Sequence, residues 1–314
     1  MLLEPLYRDA IIFSSLLTLL SLGLTLTFLT TKVPNFCHGS LATLGIYVSL
    51  TFDKVFLINV YYSLPFAFLL SGFIALLQYI LVLKPLSKRG ASVITLMVAT
   101  IAFELILLAA LNIYADYIAR IFKITSRYFF LRGSDFRFAN QQGLLFVAPL
   151  IVIIVSLTLY IFLTKTKFGI AMRATIENPS LAGSVGINPD LVYRFSWFLS
   201  GGLAGLAGGL LPLSFIGNPD TGSFLLISIF AASISGGLFH IFGGLIGGYL
   251  IGFAEVLGTA NLASLMGTWV IPYRPVIPLL AMALTLLLIP RGITGLSFEF
   301  LKSGNLWRKL KLYF

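Results

Sequence analysis

Four residues in a very apolar chain have types and settings suited to chemistry. Glu104 stands inside Ala99-Thr100-Ile101-Ala102-Phe103-Glu104-Leu105-Ile106. A carboxylate in such a run is costly unless it faces protein or water, so it marks a functional candidate by default. One reading gives it a cation to hold; the other keeps it protonated or paired within its own bundle. Asn35, His38 and Gly39 follow Val33-Pro34, where proline interrupts a helical pattern. A helix broken at depth exposes backbone groups that can bind a solute. His38 either titrates or hydrogen-bonds against such a solute, or caps the break by bonding a freed carbonyl.

Little else in the chain looks like a reaction centre. No grouping of Ser, His and Asp and no metal-spaced set of His or carboxylates is present, so an intramembrane enzyme lacks the clustered polar residues it needs. Cys37 is the only cysteine, which excludes an intrachain disulfide and a CxxC metal site. There is no G-x-x-x-x-G-K-[ST] phosphate loop, so neither a metal nor a nucleotide cofactor is expected in this chain. Glu255 is expected near the outer end of its apolar run, at an interface, and His240 on the surface.

The elements that must position these residues follow from composition. The 314 residues are 58% hydrophobic and 10% charged, with a mean hydropathy of +1.00. A soluble protein carries about 25% charged residues, so most of this surface must face lipid or other apolar helices. The formal charge of +10, from 21 Lys and Arg against 11 Asp and Glu, sits between the apolar runs. Membrane orientation and anionic headgroups explain it better than nucleic acid.

Apolar runs are expected over about residues 10–30, 56–83, 92–114, 143–163, 191–213, 224–239, 242–258 and 276–289, with a short piece over 40–52. The run over 10–30 is read as a retained span rather than a signal peptide, because no A-x-A-like cleavage site follows it. The short piece cannot cross a core of about 30 Å unaided. The fold class is therefore all-α: a polytopic helical membrane protein of about eight or nine membrane elements, several short or broken, forming one domain over 1–314. The basic segments 84–89, 164–190 and the tail 291–314 belong on the cytoplasmic side, which puts the N-terminus outside and the C-terminus inside. The stretch 115–142, with Arg120, Lys123, Arg127, Arg132 and Arg137, disagrees; alternation still places it outside.

Two sets of glycines recur every four residues: Gly201, Gly205 and Gly209, then Gly244, Gly248 and Gly252. Each set forms a strip where another helix backbone can approach closely. The loop over 164–190 contains a helix start at Asn178-Pro179, with Asn178 as N-cap and proline at the first position. Leu181, Ala182 and Val185 then offer a small apolar face, and Gly186 stops the helix. This is either a knob for a partner or an ordinary loop with a helical turn.

At these residues the chain resembles the permease subunits of ABC importers for branched-chain amino acids. That family's cytoplasmic loop reads approximately T-x-x-G-x-x-x-R-A-x-x-x-N-x-x-x-A-x-x-x-G-I, met here by Thr166, Gly169, Arg173, Ala174, Asn178, Ala182, Gly186 and Ile187. Asn35-Phe36-Cys37-His38-Gly39 is similar to its N-F-A-H-G. The spans beginning Phe198-Leu199-Ser200-Gly201 and Ser235-Gly236-Gly237-Leu238 are similar to its glycine-rich segments. The resemblance runs over about residues 15–290.

It implies a single permease domain that pairs with a second permease subunit, homologous or identical. Two cytoplasmic ATPase subunits would carry ATP and magnesium, and an external binding protein would deliver branched-chain amino acids or similar small polar solutes. The loop over 164–190 would couple to the ATPases, with Arg173, Glu177, Asn178, Ala182, Gly186 and Ile187 as the coupling residues. A mid-span acid at Glu104 is not a hallmark of the family. The competing reading is a stand-alone secondary transporter driven by Na⁺ or H⁺ through Glu104 and the break at Asn35. It has no reason to present the helix beginning at Asn178. A multi-pass location in the cell membrane is expected on either reading.

Overall fold

The computed structural model describes residues 4–238, 240, 242–290 and 292–295. Of the basic tail expected over 291–314, Arg291, Lys302, Arg308, Lys309 and Lys311 lie outside the described residues. The chain begins with α1 (Pro5–Thr31) and the short α2 (His38–Lys54). A long span over Val60–Lys88 is built from a 3-10 turn, α3 (Leu64–Gln78), a π turn at Tyr79–Leu83 and α4 (Lys84–Lys88). Then come α5 (Val93–Phe122), the hairpin of β1 (Arg137–Phe138) and β2 (Gln141–Gln142), and α6 (Leu144–Lys165). Two surface helices follow, α7 (Lys167–Glu177) and α8 (Pro179–Ser184). The second half holds α9 (Pro189–Leu210), α10 (Thr221–Gly236), α11 (Gly243–Met266) and α12 (Val276–Leu288). Prolines open α1, α3, α8 and α9, where the missing N–H costs nothing.

Among the described residues seven helical segments are long and apolar enough to cross a membrane. Helices α2 and α10, with 17 and 16 residues, fall short of the roughly 20 that a crossing needs. Both start inside the bundle. Gly39 in the first turn of α2 lies against the carbonyl of Gly222 in the first turn of α10, so the two N-termini meet back to back. The backbone over 32–37 therefore runs from the end of α1 to the level of Leu20, whose carbonyl His38 reaches.

Helices α1 and α9 form the centre: 89% and 83% of their most apolar windows are buried, against 12–39% for the other five spans. Small side chains make this possible. Ser14 and Thr18 return their hydroxyls to the carbonyls four residues earlier at 2.7 Å, which hides polarity without needing a partner. Against this smooth face lie Gly244 (at Ser21), Gly248 (at Thr18) and Gly252 (at Ser14). On α9, Gly201 and Gly205 meet Ser71, Ala75 and Ala67 of α3, and Gly209 lies near Ser49 of α2. Gly208, outside that strip, meets the Ala42 carbonyl of α2.

Two faces of the bundle are distinct. One carries the end of α1, α4, α7, α8 and the start of α9, tied by Lys84 to Asp190 at 2.8 Å and Arg194 to Asp190 at 2.6 Å. The other carries the N-terminus and the segment after α5. There Arg8, Arg132, Asp135 and Arg137 line one polar pocket, Tyr61 donates to Asp135 at 2.7 Å, and Ser134 bonds Asp53. The stretch 115–142 is thus folded structure on the N-terminal face. Its first residues extend α5 to Phe122, and Arg127 folds back onto Asp116 at 3.1 Å. The run expected over 242–258 is also longer than its apolar residues suggest, because α11 continues to Met266.

Candidate functional site

The interrupted segment between α1 and α2 is held by side chains from two neighbouring spans. Lys32 closes α1 in the left-handed conformation, and Val33 packs with Tyr79, Leu83, Leu96 and Trp197. The Asn35 side-chain oxygen accepts from the Cys37 N–H at 3.1 Å and from Gln78 Nε2 at 3.0 Å. The Phe36 N–H donates to Thr100 Oγ1 at 3.3 Å. Of the backbone groups freed by the break, the Phe36 N–H is therefore met by α5 and the Cys37 N–H by Asn35 itself, which Gln78 of α3 holds in place. Asn35 Nδ2 and Gln78 Oε1 stay buried without a protein partner.

His38 takes neither of the roles expected of it in full. Its Nε2 donates to the Leu20 carbonyl at 2.9 Å, and Ser200 Oγ lies 3.5 Å from Nδ1. Leu20 belongs to the middle of α1, so the ring bonds a neighbouring helix rather than a carbonyl freed at the break. Its position beside Gly23, between α1 and α9, is filled on all sides. The ring fastens α2 to the central helices.

Glu104 sits where α2 and α10 begin. It is buried, at 8% exposure, and one carboxyl oxygen accepts from Ser223 Oγ, in the first turn of α10, at 2.8 Å. The Cys37 thiol lies beside it. Its second oxygen, Oε2, has no partner. Helix N-termini carry partial positive charge that favours an anion, and two of them converge here. The structure thus joins Gly39 and Glu104 at one centre, with Cys37, Gly222 and Ser223, and directs Asn35 and His38 elsewhere. The motif Asp220-Thr221-Gly222-Ser223 is the sequence signal for that helix start. Nothing local links it to a glutamate 119 residues away.

Glu255 corrects an expectation. It is buried rather than interfacial, with 4% of its side chain exposed, and pairs with Arg274 at 2.7 Å. The 3-10 segment Thr268–Tyr273 folds back along α11 and carries Arg274 to it. A groove of about 710 Å³ between α2, α3 and α5 is apolar. Its hydroxyls are already engaged: Tyr47 donates to the Ser126 carbonyl at 2.9 Å, and Thr51 meets Tyr114 at 2.6 Å. It offers a small polar solute nothing to bind.

On the opposite face, the stretch 164–190 is two helices rather than a loop with one turn. Thr166 Oγ1 caps α7 by accepting from the Gly169 N–H at 3.0 Å. Gly169 lies against the Phe162 carbonyl, and Met172 is buried with Leu26, Leu163 and Val192. Helix α7 is therefore bolted to the bundle. Asn178 ends it and starts α8, its side-chain oxygen accepting from the N–H groups of Ser180 at 3.1 Å and Leu181 at 3.0 Å. Gly186 ends α8 with φ +88°, and the Ile187 N–H closes on the Ala182 carbonyl at 3.0 Å. Arg173, Glu177, Asn178 and Gly186 are exposed, and Ile187 is half-buried. The expected apolar face divides: Ala182 is buried at 3% while Leu181 and Val185 stand out at 64% and 70%.

A bundle with two helices that start at depth, a buried carboxylate between their N-termini and a firmly mounted surface helix has the architecture of a membrane permease. A family model described as "Branched-chain amino acid transport system / permease component" matches residues 6–290. The chain is 52% identical over 304 residues to the probable branched-chain amino acid transport permease protein LivH of Methanocaldococcus jannaschii, covering 97% of this chain and 93% of that one. It is 33% identical over 148 residues to the high-affinity branched-chain amino acid transport system permease protein LivH of Escherichia coli K12, 46% of each chain. Over 156 residues it is 32% identical to the corresponding BraD protein of Pseudomonas aeruginosa, 49% of this chain and 48% of that one. No solved structure matches.

The chain belongs to the branched-chain amino acid transport permease family. It is a membrane-embedded permease subunit of an ABC-type importer and not an enzyme, and the stand-alone secondary transporter is not favoured. Permeases of this kind work with ATPase and binding-protein partners.

Proposed function

We propose that this subunit, paired with a second homologous or identical permease, passes branched-chain amino acids inward across the cell membrane. An external binding protein delivers them on the N-terminal face. Two ATPase subunits, holding ATP and magnesium that this chain does not bind, work on the face of α7 and α8. The orientation rests on Lys84, Lys88, Arg89, Lys165, Lys167 and Arg173 in short segments beside spans on that face.

The observation that carries this reading is α8. A helix of six residues has no stability of its own, yet Asn178 caps it, Ala182 anchors it and α7 holds it to α6 and α9. Leu181 and Val185 are left pointing outward, as a knob for a groove on a partner. ATP-dependent changes in that partner would then bias the permease between its open states. Arg173, Glu177, Asn178 and Gly186 frame the same surface.

Val185→Asp places a charge on the knob without touching the core. Truncating or charging such an anchor costs about 2 kcal/mol or more at an interface, some thirtyfold in affinity. ATP-driven leucine uptake in vesicles carrying the assembled importer is expected to fall by up to that factor, with the melting temperature of the permease unchanged. Wild-type uptake by V185D would remove α8 from the coupling role. Purification of the tagged chain from its host membrane, with recovery of ATPase, second permease and binding protein, tests the assembly.

A further inference from the structure

The Glu255–Arg274 pair is built unlike a purely structural one. An arginine that closes on a buried carboxylate normally bonds it side by side, two N–H groups to two oxygens, because each unmet atom is costly away from water. Here one bond forms, Arg274 Nε to Glu255 Oε1 at 2.7 Å. Glu255 Oε2 and Arg274 Nη2 are both buried and both without a partner. The guanidinium is already fixed, lying over the Phe13 ring at 4.3 Å. Both residues line one pocket of about 240 Å³ on the N-terminal half of the bundle, beside the first turns of α10.

The pocket defines its ligand by what is missing. Neither Arg274 Nη2 nor Glu255 Oε2 has a charged partner there, and the Ser228 hydroxyl is near enough to hydrogen-bond the carboxylate. The remaining wall is largely apolar, with Phe215, Phe224 and Leu225. A lone anion or lone cation would leave one of the two atoms unmet and add net charge to the bundle. An α-amino acid carries both charges a few bonds apart, is neutral overall, and adds no net charge to a membrane-embedded site. An aliphatic side chain suits the wall.

We propose that this pocket is an outer waiting site that reads the α-carboxylate of an aliphatic amino acid with Arg274 and its α-ammonium with Glu255. The proposal rests on the transport reading above and specifies where the substrate is first held. Thr221 and Phe224 of α10 face this pocket while Ser223 faces Glu104. The two carboxylates thus lie against different faces of the first turns of α10.

The test uses the assembled importer in proteoliposomes. Ser228→Cys is alkylated with N-ethylmaleimide and the modified peptide of this chain is quantified by mass spectrometry. L-Leucine at about four times its Kd is expected to slow alkylation about fivefold. The analogues 4-methylpentanoate, which lacks the ammonium, and 3-methylbutylamine, which lacks the carboxylate, leave the rate unchanged, and E255Q or R274Q abolishes protection by leucine. Absence of alkylation, absence of protection by leucine, or equal protection by either analogue overturns the proposal. Leu225→Cys is read the same way if S228C does not assemble. Wild-type vesicles report separately: if they import leucine while no protection is seen, the waiting site falls and the transport reading stands. If they import none, the transport reading itself falls.

Discussion

Among the described residues two carboxylates are buried in the membrane bundle, and their surroundings are opposite. Glu255 on α11 has a full cation at 2.7 Å, supplied by a segment that doubles back from beyond its own helix. Glu104 on α5 has no cation; it has one hydroxyl at 2.8 Å, a thiol and the starts of two helices. Each keeps one oxygen unpartnered. A paired carboxylate is bound into the fold, since removing it strands its arginine. A carboxylate held by neutral groups and helix ends is more dispensable to the fold, since its loss strands no cation.

The difference can be broken by mutation, most sharply at Glu255. Glu255→Ala removes the one hydrogen-bonded partner of the half-buried Arg274, and losing a charged hydrogen bond of this kind costs about 3 kcal/mol. A large fall in the melting temperature of the detergent-solubilised subunit is expected, and a shift no larger than that of a surface variant would show the pair to be structurally idle. Ser223→Ala comes next. It removes the hydroxyl from Glu104 and leaves a buried acceptor unmet, worth about 1–3 kcal/mol, again read by thermal unfolding.

The smallest effect on stability belongs to Glu104→Gln. The amide keeps an oxygen for Ser223 and strands no cation, so the change stays within about 1 kcal/mol. If Glu104 meets the substrate's ammonium on its way through, leucine uptake is expected to fall nonetheless, because an amide holds an ammonium less well than a carboxylate does. Unfolding as deep as that of E255A would make Glu104 a structural group and erase the contrast. Stable protein with wild-type uptake would take it off the substrate path.

Much of this architecture was legible in the residue order. The apolar runs mark the spans because a hydrocarbon core of about 30 Å demands a run of a given length. Gly244, Gly248 and Gly252 announced a close helix contact, since spacing by four keeps one face smooth. Asn178-Pro179 marked the start of α8, and Gly186 its end, because capping is local chemistry. His38 and Glu255 were less legible. Local sequence ties each to its own element, whereas both bond to something carried in by another.

Sequence alone thus determined what depends on neighbours along the chain: the helices, their caps, the smooth faces and the family to which the chain belongs. Tertiary structure decided which polar groups meet. Only the packed bundle sets Glu104 against Ser223 across 119 residues, turns His38 toward Leu20, buries Ala182 while exposing Val185, and brings Arg274 back to Glu255. The reason is physical. Burying a polar group is costly wherever it lies, but the partner that offsets the cost is chosen by the packing of whole helices, which no local pattern encodes.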